Sequence, residues 1–228
     1  GLGDVYKRQR MDPTDPNQLA SLASLFQQTL NPEQRKPAED QIGQLQAQPG
    51  FGFLLLALVQ SESTSTAIRL ASAIQFKNLC KTRWNVDAET EDPVFSAISD
   101  DEKQTIRQQL VPVLVSLASA PTPSQAILSQ MNESIALVAS SDFPEAWPAL
   151  IDELVSQLST DNHHVLLSVL ATSHAIFKQW RSQFRSDALY SEINLVLGKM
   201  ANPLLELLQR MHGMLPVSYT HLTLPTKA

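Results

Sequence analysis

The sequence predicts an all-α fold, a solenoid of stacked helix pairs, on three observations. Apolar residues recur at the helical period along nearly the whole chain, and no alternating strand pattern competes. Glycine is scarce, at 7 of 228 residues, and the prolines mark apparent helix boundaries. The third observation is the stretch Arg69–Trp84, RLASAIQFKNLCKTRW, which is apolar round most of its circumference. At about 100° per residue, Ala67, Leu70, Ala71 and Ile74 form one stripe while Ala73, Phe76, Leu79 and Cys80 occupy other sides, so this helix needs cover from several directions. It reads as an inner helix of an array.

The first element is the stripe Leu19, Leu22, Ala23, Phe26, Leu30. Asn31-Pro32-Glu33-Gln34 then supplies an N-cap, a proline at the first helical position and a capping-box glutamine for a second helix carrying Ala38, Ile42 and Leu45. Pro37 marks a kink or late start in it. A third helix, around Gly52–Gln60, is followed by the turn Ser61–Thr66, which offers N-caps to the long helix. Asn85–Ala97 is acidic and reads as an exposed connection. Asp100, Asp101 and Glu102 favour a helix start before the stripe Ile106, Leu110, Val113, Leu114, Leu117, in which Pro112 should produce a kink. Ala120-Pro121-Thr122-Pro123 stops that helix. Ile127, Leu128, Met131, Ile135 and Val138 define the next, and Trp147, Leu150, Ile151, Leu154, Val155 and Leu158 another, opened by Pro148. Leu166, Val169, Leu170, Ile176, Phe177 and Trp180 continue the series, and a last helix runs from about Asp187 to Arg210.

Pairs begin near Asn17, Phe51, Asp101 and Glu145, a spacing of roughly 35 to 50 residues that belongs to two-helix HEAT or armadillo repeats. The expected object is a HEAT-repeat α-solenoid of about four and a half helix pairs, a right-handed superhelix whose inner helices line a concave surface. Such folds work mainly as protein-binding surfaces. The apolar flank of the last helix, Leu204, Leu205 and Leu208, is expected to lie uncovered.

Composition narrows the function classes. One cysteine, Cys80, excludes an internal disulfide and a cysteine-based metal site. No apolar run approaches the roughly 18 residues of a membrane span. GLGDVYKRQR, residues 1–10, and the tail VSYTHLTLPTKA, residues 217–228, resemble translated sequencing adapter and are expected to be foreign, leaving 11–216 as the repeat region of a fragment. The two ends carry Lys7, Arg8, Arg10 and Lys227 against Asp4, so the net charge of −6 becomes −9 without them. That acidity argues against direct nucleic-acid binding.

Catalysis finds no motif. His163 and His164 are adjacent and point about 100° apart on a helix, which is not the i, i+4 spacing of a helical metal pair. Cys80, embedded in an apolar helix, reads as an inert thiol. No cofactor or metal is expected.

Arg35-Lys36-Pro37-Ala38-Glu39 with Ile42 and Leu45, then Arg69-Leu70-Ala71-Ser72-Ala73-Ile74-Gln75-Phe76-Lys77-Asn78 with Trp84, resembles the N-terminal domain of importin-β-type (karyopherin) nuclear transport receptors. Gly50–Phe53, Ser141-Asp142-Phe143-Pro144 with Trp147-Pro148-Ala149-Leu150, His174–Lys178 with Trp180-Arg181, Phe184-Arg185-Ser186-Asp187, Glu192-Ile193 and Leu195–Leu197 resemble the member of that family that re-exports importin-α. The resemblance implies a binding domain for the GTP form of the small GTPase Ran over roughly residues 35–120, importin-α as cargo of the full-length receptor, contact with nucleoporins, and shuttling between nucleus and cytoplasm. It implies no enzymatic activity. Another receptor of the family with different cargo, or a HEAT scaffold with no GTPase partner, are the alternatives.

Candidate Ran-contacting residues are Asp40, Gln41 and Gln44 on the first inner helix, Lys77 and Lys81 on the second, Asn132 on the third, and Asp142, a cap or an acidic contact. Lys77 and Lys81 are spaced i, i+4 and read equally as partner contacts or solvated lysines. Asn78 lies at the angle of Ala67, Ala71 and Ile74, so it is expected to be a buried structural amide. Trp84 and Trp147 are expected to plug gaps between repeats, and Phe143-Pro144 to end the inner helix and turn the chain into the next outer helix.

Overall fold

The computed structural model describes residues 10–85 and 97–214. Among them are nine α-helices and one 3-10 turn, and no strand. The helix α1 (Pro16–Thr29) starts on Asp15, whose side chain accepts the Asn17 N–H at 2.9 Å, with Pro16 at the first position. It buries Leu22 and Phe26, while Leu30 stays half exposed beyond its end.

The second helix, α2 (Arg35–Leu45), starts later than the capping box predicts. Asn31 accepts the Glu33 N–H at 3.1 Å, but this organises a separate turn, and Gln34 becomes an N-cap without a side-chain bond. Pro37 fixes the outcome. In the first turn its missing N–H has no intrahelical acceptor to lose, whereas a helix starting at Pro32 would place it in the interior.

The helix α3 (Phe51–Gln60) is buried at eight of its ten residues. It follows Gly50, whose φ of +89° suits glycine, and a Cβ there would lie 2.5 Å from the Met11 carbonyl oxygen. Glycine cannot cap a helix with a side chain, so the cap comes from elsewhere: the Gly50 N–H donates to Glu102 Oε2 at 3.2 Å. Glu102 belongs to α5 (Asp100–Ala118), whose own start is capped by Ser99 and carries three acids in its first turn. Between them α4 (Thr66–Arg83) begins on Ser65, which accepts the Ile68 N–H. Most of the acidic connection expected after Asn85 lies outside the described residues.

Next come α6 (Gln125–Asp142), the short α7 (Leu150–Ser156) running into a 3-10 turn at Gln157–Ser159, α8 (His163–Trp180) and α9 (Asp187–Met214). Trp147 and Pro148 precede α7 instead of opening it. The Asp142 carbonyl accepts the Ala146 and Trp147 N–H groups at 2.7 and 2.9 Å, which holds that stretch as a turn.

The helices form two layers. In the first, α1, α3, α5, α7 and α9 follow side by side; in the second, α4, α6 and α8 are neighbours and α2 packs on α1. A continuous core runs between the layers, from Leu22 and Phe26 through Phe76, Ile106 and Met131 to Val196 and Met200. At its far end α9 turns Leu197, Leu205, Leu208 and Met211 outward, each more than half exposed, while Leu204 packs against the core.

Two expectations follow for the isolated chain. Burial raises the Glu102 carboxyl above its ordinary value, an effect only partly offset by the Gly50 and Gly52 N–H groups and the Arg10 charge. The folded state therefore holds this proton more tightly than the unfolded state, and Glu102 favours folding more as pH falls through its raised value. The melting temperature of the wild type minus that of Glu102→Gln is expected to increase between pH 7 and pH 4. In hydrogen exchange, the second half of α9 is expected to exchange faster than α4 and α6, because its outward stripe is uncovered; uniform protection through Arg210 would contradict this.

Candidate protein-binding face

Stacking leaves one side of the second layer uncovered, and α4 shows how. Its buried side is Ile68, Ser72, Ala73, Phe76, Leu79 and Cys80, with the Ser72 hydroxyl donating to the Ile68 carbonyl at 2.9 Å. Its opposite side presents Ala67, Ile74, Asn78 and Lys81 to solvent, with Leu70 and Ala71 half-buried beside them. This corrects the expected placement of Asn78. The stripe it shares with Ala67, Ala71 and Ile74 is the open face, so its amide is solvated and braces no neighbouring turn. Ile74 is 40% exposed, a large apolar side chain on a surface that helix packing does not require.

The two lysines separate. Lys77 Nζ lies 2.9 Å from Glu133 Oε2 of α6, an ion pair between successive second-layer helices with side chains 24% and 52% exposed. Lys81 is exposed and has no ion pair among the described residues. On α2, Asp40, Gln41 and Gln44 are all exposed. Asn132 is half-buried, its Oδ1 accepting from Thr172 Oγ1 of α8 at 2.8 Å, so it joins α6 to α8 while Met131 beside it is in the core.

Asp142 leaves the set of surface candidates. It is buried, and its carboxylate pairs with the Arg107 guanidinium of α5, their side chains 10% and 14% exposed. Burying a carboxylate without an oppositely charged partner is costly, and Arg107 is the partner here. The aromatic candidates lie where gap-filling places them. Trp84, Phe143 and Trp147 are buried and Pro144 half-buried, and Lys103 Nζ sits 5.9 Å from the Trp84 ring centre.

Periodicity overlooked part of this face. Along α8, His163, Leu167, Ala171, His174 and Lys178 are all exposed and share one side, with Leu167 at 58%. On α6 the exposed side is small and polar: Gln125, Ser129, Glu133 and Ser140. These residues recur at helical spacing, but side-chain size does not mark their side as open, since Ser72, Ala73, Ser134, Ser168 and Ser173 of the same helices are buried.

Chemically, the face offers ammonium, amide and hydroxyl groups around isolated apolar side chains, which suits contact with another protein. Cys80 is 3% exposed and burial pushes its thiol well above the ordinary value, so no thiolate is presented.

Comparison with known proteins agrees with this architecture. Residues 38–116 match the importin-beta N-terminal domain, and residues 176–221 match the Cse1 family. Exportin-2 of Drosophila melanogaster is 35% identical over 201 residues, covering 87% of this chain and 20% of that protein. The importin alpha re-exporter of Saccharomyces cerevisiae is 37% identical over 191 residues, covering 84% of this chain and 19% of that one. A solved structure, the exportin Cse1 in its cargo-free, cytoplasmic state, superposes with a TM-score of 0.74 at 34% identity, over 84% of this chain and 20% of that chain. The chain thus spans about a fifth of the length of the relatives it matches. Matching both family regions, and sharing sequence and helix arrangement with these exportins over more than four-fifths of its length, the chain belongs to the importin-β family and is similar to the N-terminal part of Exportin-2.

Proposed function

We propose that this chain is the N-terminal part of a nuclear export receptor: it binds Ran in its GTP form and, within the full-length protein, takes part in carrying importin-α from nucleus to cytoplasm. The observation that carries the reading is the open stripe Ile74–Asn78–Lys81 on α4, with Asp40, Gln41 and Gln44 of α2 also exposed. The names of its relatives, an importin alpha re-exporter and an exportin with a cargo-free state, supply the cargo and the compartments. The GTPase-binding region falls within roughly residues 35–120, and the whole receptor shuttles through the pore with nucleoporins as further partners.

The mechanism is recognition of shape. In a small GTPase the γ-phosphate and its Mg²⁺ order the switch segments, so a rigid surface that fits only the ordered form reads nucleotide state and performs no chemistry. Lys81 offers a charge with no ion-pair partner among the described residues, Asn78 both a donor and an acceptor, and Ile74 an apolar anchor at the other end of the stripe. Asn132 is tied to Thr172, so it takes part chiefly by holding α6 and α8 in register. Positive coupling between cargo and the GTP form would follow if both favour one arrangement of the repeats.

Calorimetry with Ran is the test. The chain is expected to bind Ran–GTP weakly, since it is a fifth of the receptor's length, and Ran–GDP not measurably. Lys81→Glu should weaken binding by roughly tenfold with an unchanged melting temperature. Lys77→Glu should also lower the melting temperature slightly, because it sets two carboxylates against each other at Glu133. Equal binding of both nucleotide forms, or full binding by Lys81→Glu, would overturn the assignment.

A further inference from the structure

The turn between α8 and α9 carries side chains that stacking leaves unexplained. Its sequence, Trp180-Arg181-Ser182-Gln183-Phe184-Arg185-Ser186-Asp187, divides into anchors and a tip. Trp180 is an anchor: its ring stacks on Phe177 at 4.8 Å, and its Nε1–H donates to Glu192 Oε1 at 2.7 Å, tying α8 to α9. Ser186 is another, its Oγ accepting the Leu189 N–H and its carbonyl the Tyr190 N–H, which starts α9. On the other side the Ser182 and Gln183 N–H groups donate to the Gln179 and Trp180 carbonyls at 3.1 and 3.2 Å.

Between these anchors Phe184 stands 90% exposed, above every other large apolar side chain among the described residues. Lys178, Arg181 and Arg185 surround it in sequence, all exposed and without an acidic partner among the described residues. Lys178 and Arg181 have an internal reason to be basic, since they sit at the C-terminal end of α8, where the helix dipole favours cations. Arg185 has none: two residues ahead of the α9 N-terminus, it occupies a place where a cation is disfavoured. A fixed turn that presents an exposed aromatic ring and a cation against the local dipole, on a chain of net charge −6, is built for something outside itself.

We infer that the α8–α9 turn is a docking point for an acidic protein segment bearing one aromatic or large aliphatic anchor. The anchor packs on the Phe184 ring, and carboxylates beside it take the fork-shaped donors of Arg185 and Arg181. Nucleic acid and anionic membranes require a wider positive field than three cations on an acidic chain supply. The site is separate from the GTPase face on α2 and α4.

The test is fluorescence anisotropy on the 228-residue chain. The probe is a labelled, short glutamate-rich peptide with one central tryptophan; comparison probes are the same peptide with serine for tryptophan, single-stranded RNA, and phosphatidylserine vesicles. The tryptophan peptide is expected to bind in a salt-sensitive way. Phe184→Ser and Arg185→Glu should each weaken it by roughly tenfold at an unchanged melting temperature, and the serine peptide should bind less well and ignore Phe184→Ser. Lys81→Glu should leave peptide binding intact, so loss of Ran binding and loss of this site are read separately. No peptide binding, indifference to both tip variants, or RNA or vesicle binding that depends on Phe184 and Arg185 would each overturn the inference.

Discussion

A carboxylate of one repeat caps a helix of the repeat before it, and the near end of the molecule is arranged around that bond. α3 is buried on almost every side, so its N-terminal N–H groups have no water to satisfy them, and Gly50, required by its positive φ and by the closeness of Met11, brings no side chain to do so. Glu102 reaches across from α5 to take the Gly50 N–H. Moving α5 along α3 by one helical turn would strand a buried carboxyl and an amide together, each left without its partner. Gly52 restricts the same junction. A Cβ there would meet Ile106 and Leu79 side chains at 3.2 and 3.4 Å, so α4 and α5 both approach α3 at the one place it has no side chain.

The same device recurs along the array with different chemistry. Arg83 donates to the Gln46 carbonyl behind α2, Lys77 pairs with Glu133, Arg107 with Asp142, Asn132 bonds Thr172, Gln179 donates to the Ala136 carbonyl, Lys199 pairs with Asp152, and Arg210 reaches the Leu158 and Ser159 carbonyls at the end of the 3-10 turn. Apolar burial supplies most of the stacking energy but has no direction. These polar ties supply direction, because each is satisfied in one register. They also explain why so many polar residues on second-layer helices are not available to a partner: Asn132 and Asp142 are engaged inside the protein, and only side chains aimed away from both neighbouring helices remain open.

Helices were largely legible because apolar periodicity is a local signal, as are the capping turn Ser61–Thr66 and the acids Asp100–Glu102 that mark the starts of α4 and α5; the caps Asp15 and Asn162 emerged only with the structure. Two boundaries were misread where local signals compete. Asn31 and Pro32 form a good helix start, yet Pro37 forbids continuing through it; Pro148 resembles a first-turn proline, yet the carbonyl of Asp142 holds the preceding stretch as a turn. The face was less legible. On α4 apolar residues occur all round, so periodicity cannot tell which side lacks a neighbour, and Asn78 was assigned to the wrong one. Asp142 was misjudged for a related reason: its partner, Arg107, lies 35 residues earlier in the chain, and no spacing rule connects them.

One tie differs from the others in its setting. Arg107–Asp142 is enclosed, and breaking it would leave a buried charge. Lys77–Glu133 joins the same layer at the edge of the open face, with Glu133 half exposed. A pair in that position contributes on the order of 0–1 kcal/mol, since water screens it and replaces it readily. Under the reading proposed for this chain, an acidic group of a partner arriving beside Lys81 takes Lys77 from Glu133 at almost no energetic cost, whereas the enclosed tie on the other side of α6 holds. Binding would then exchange one surface ion pair for another, while the apolar contact of α4 with α6 and the enclosed Arg107–Asp142 pair keep successive repeats in place. A weak surface pair beside strong internal ones therefore lets a partner take a charge from the face without disturbing the stacking register, so the surface that reads the partner's shape stays rigid while it does so.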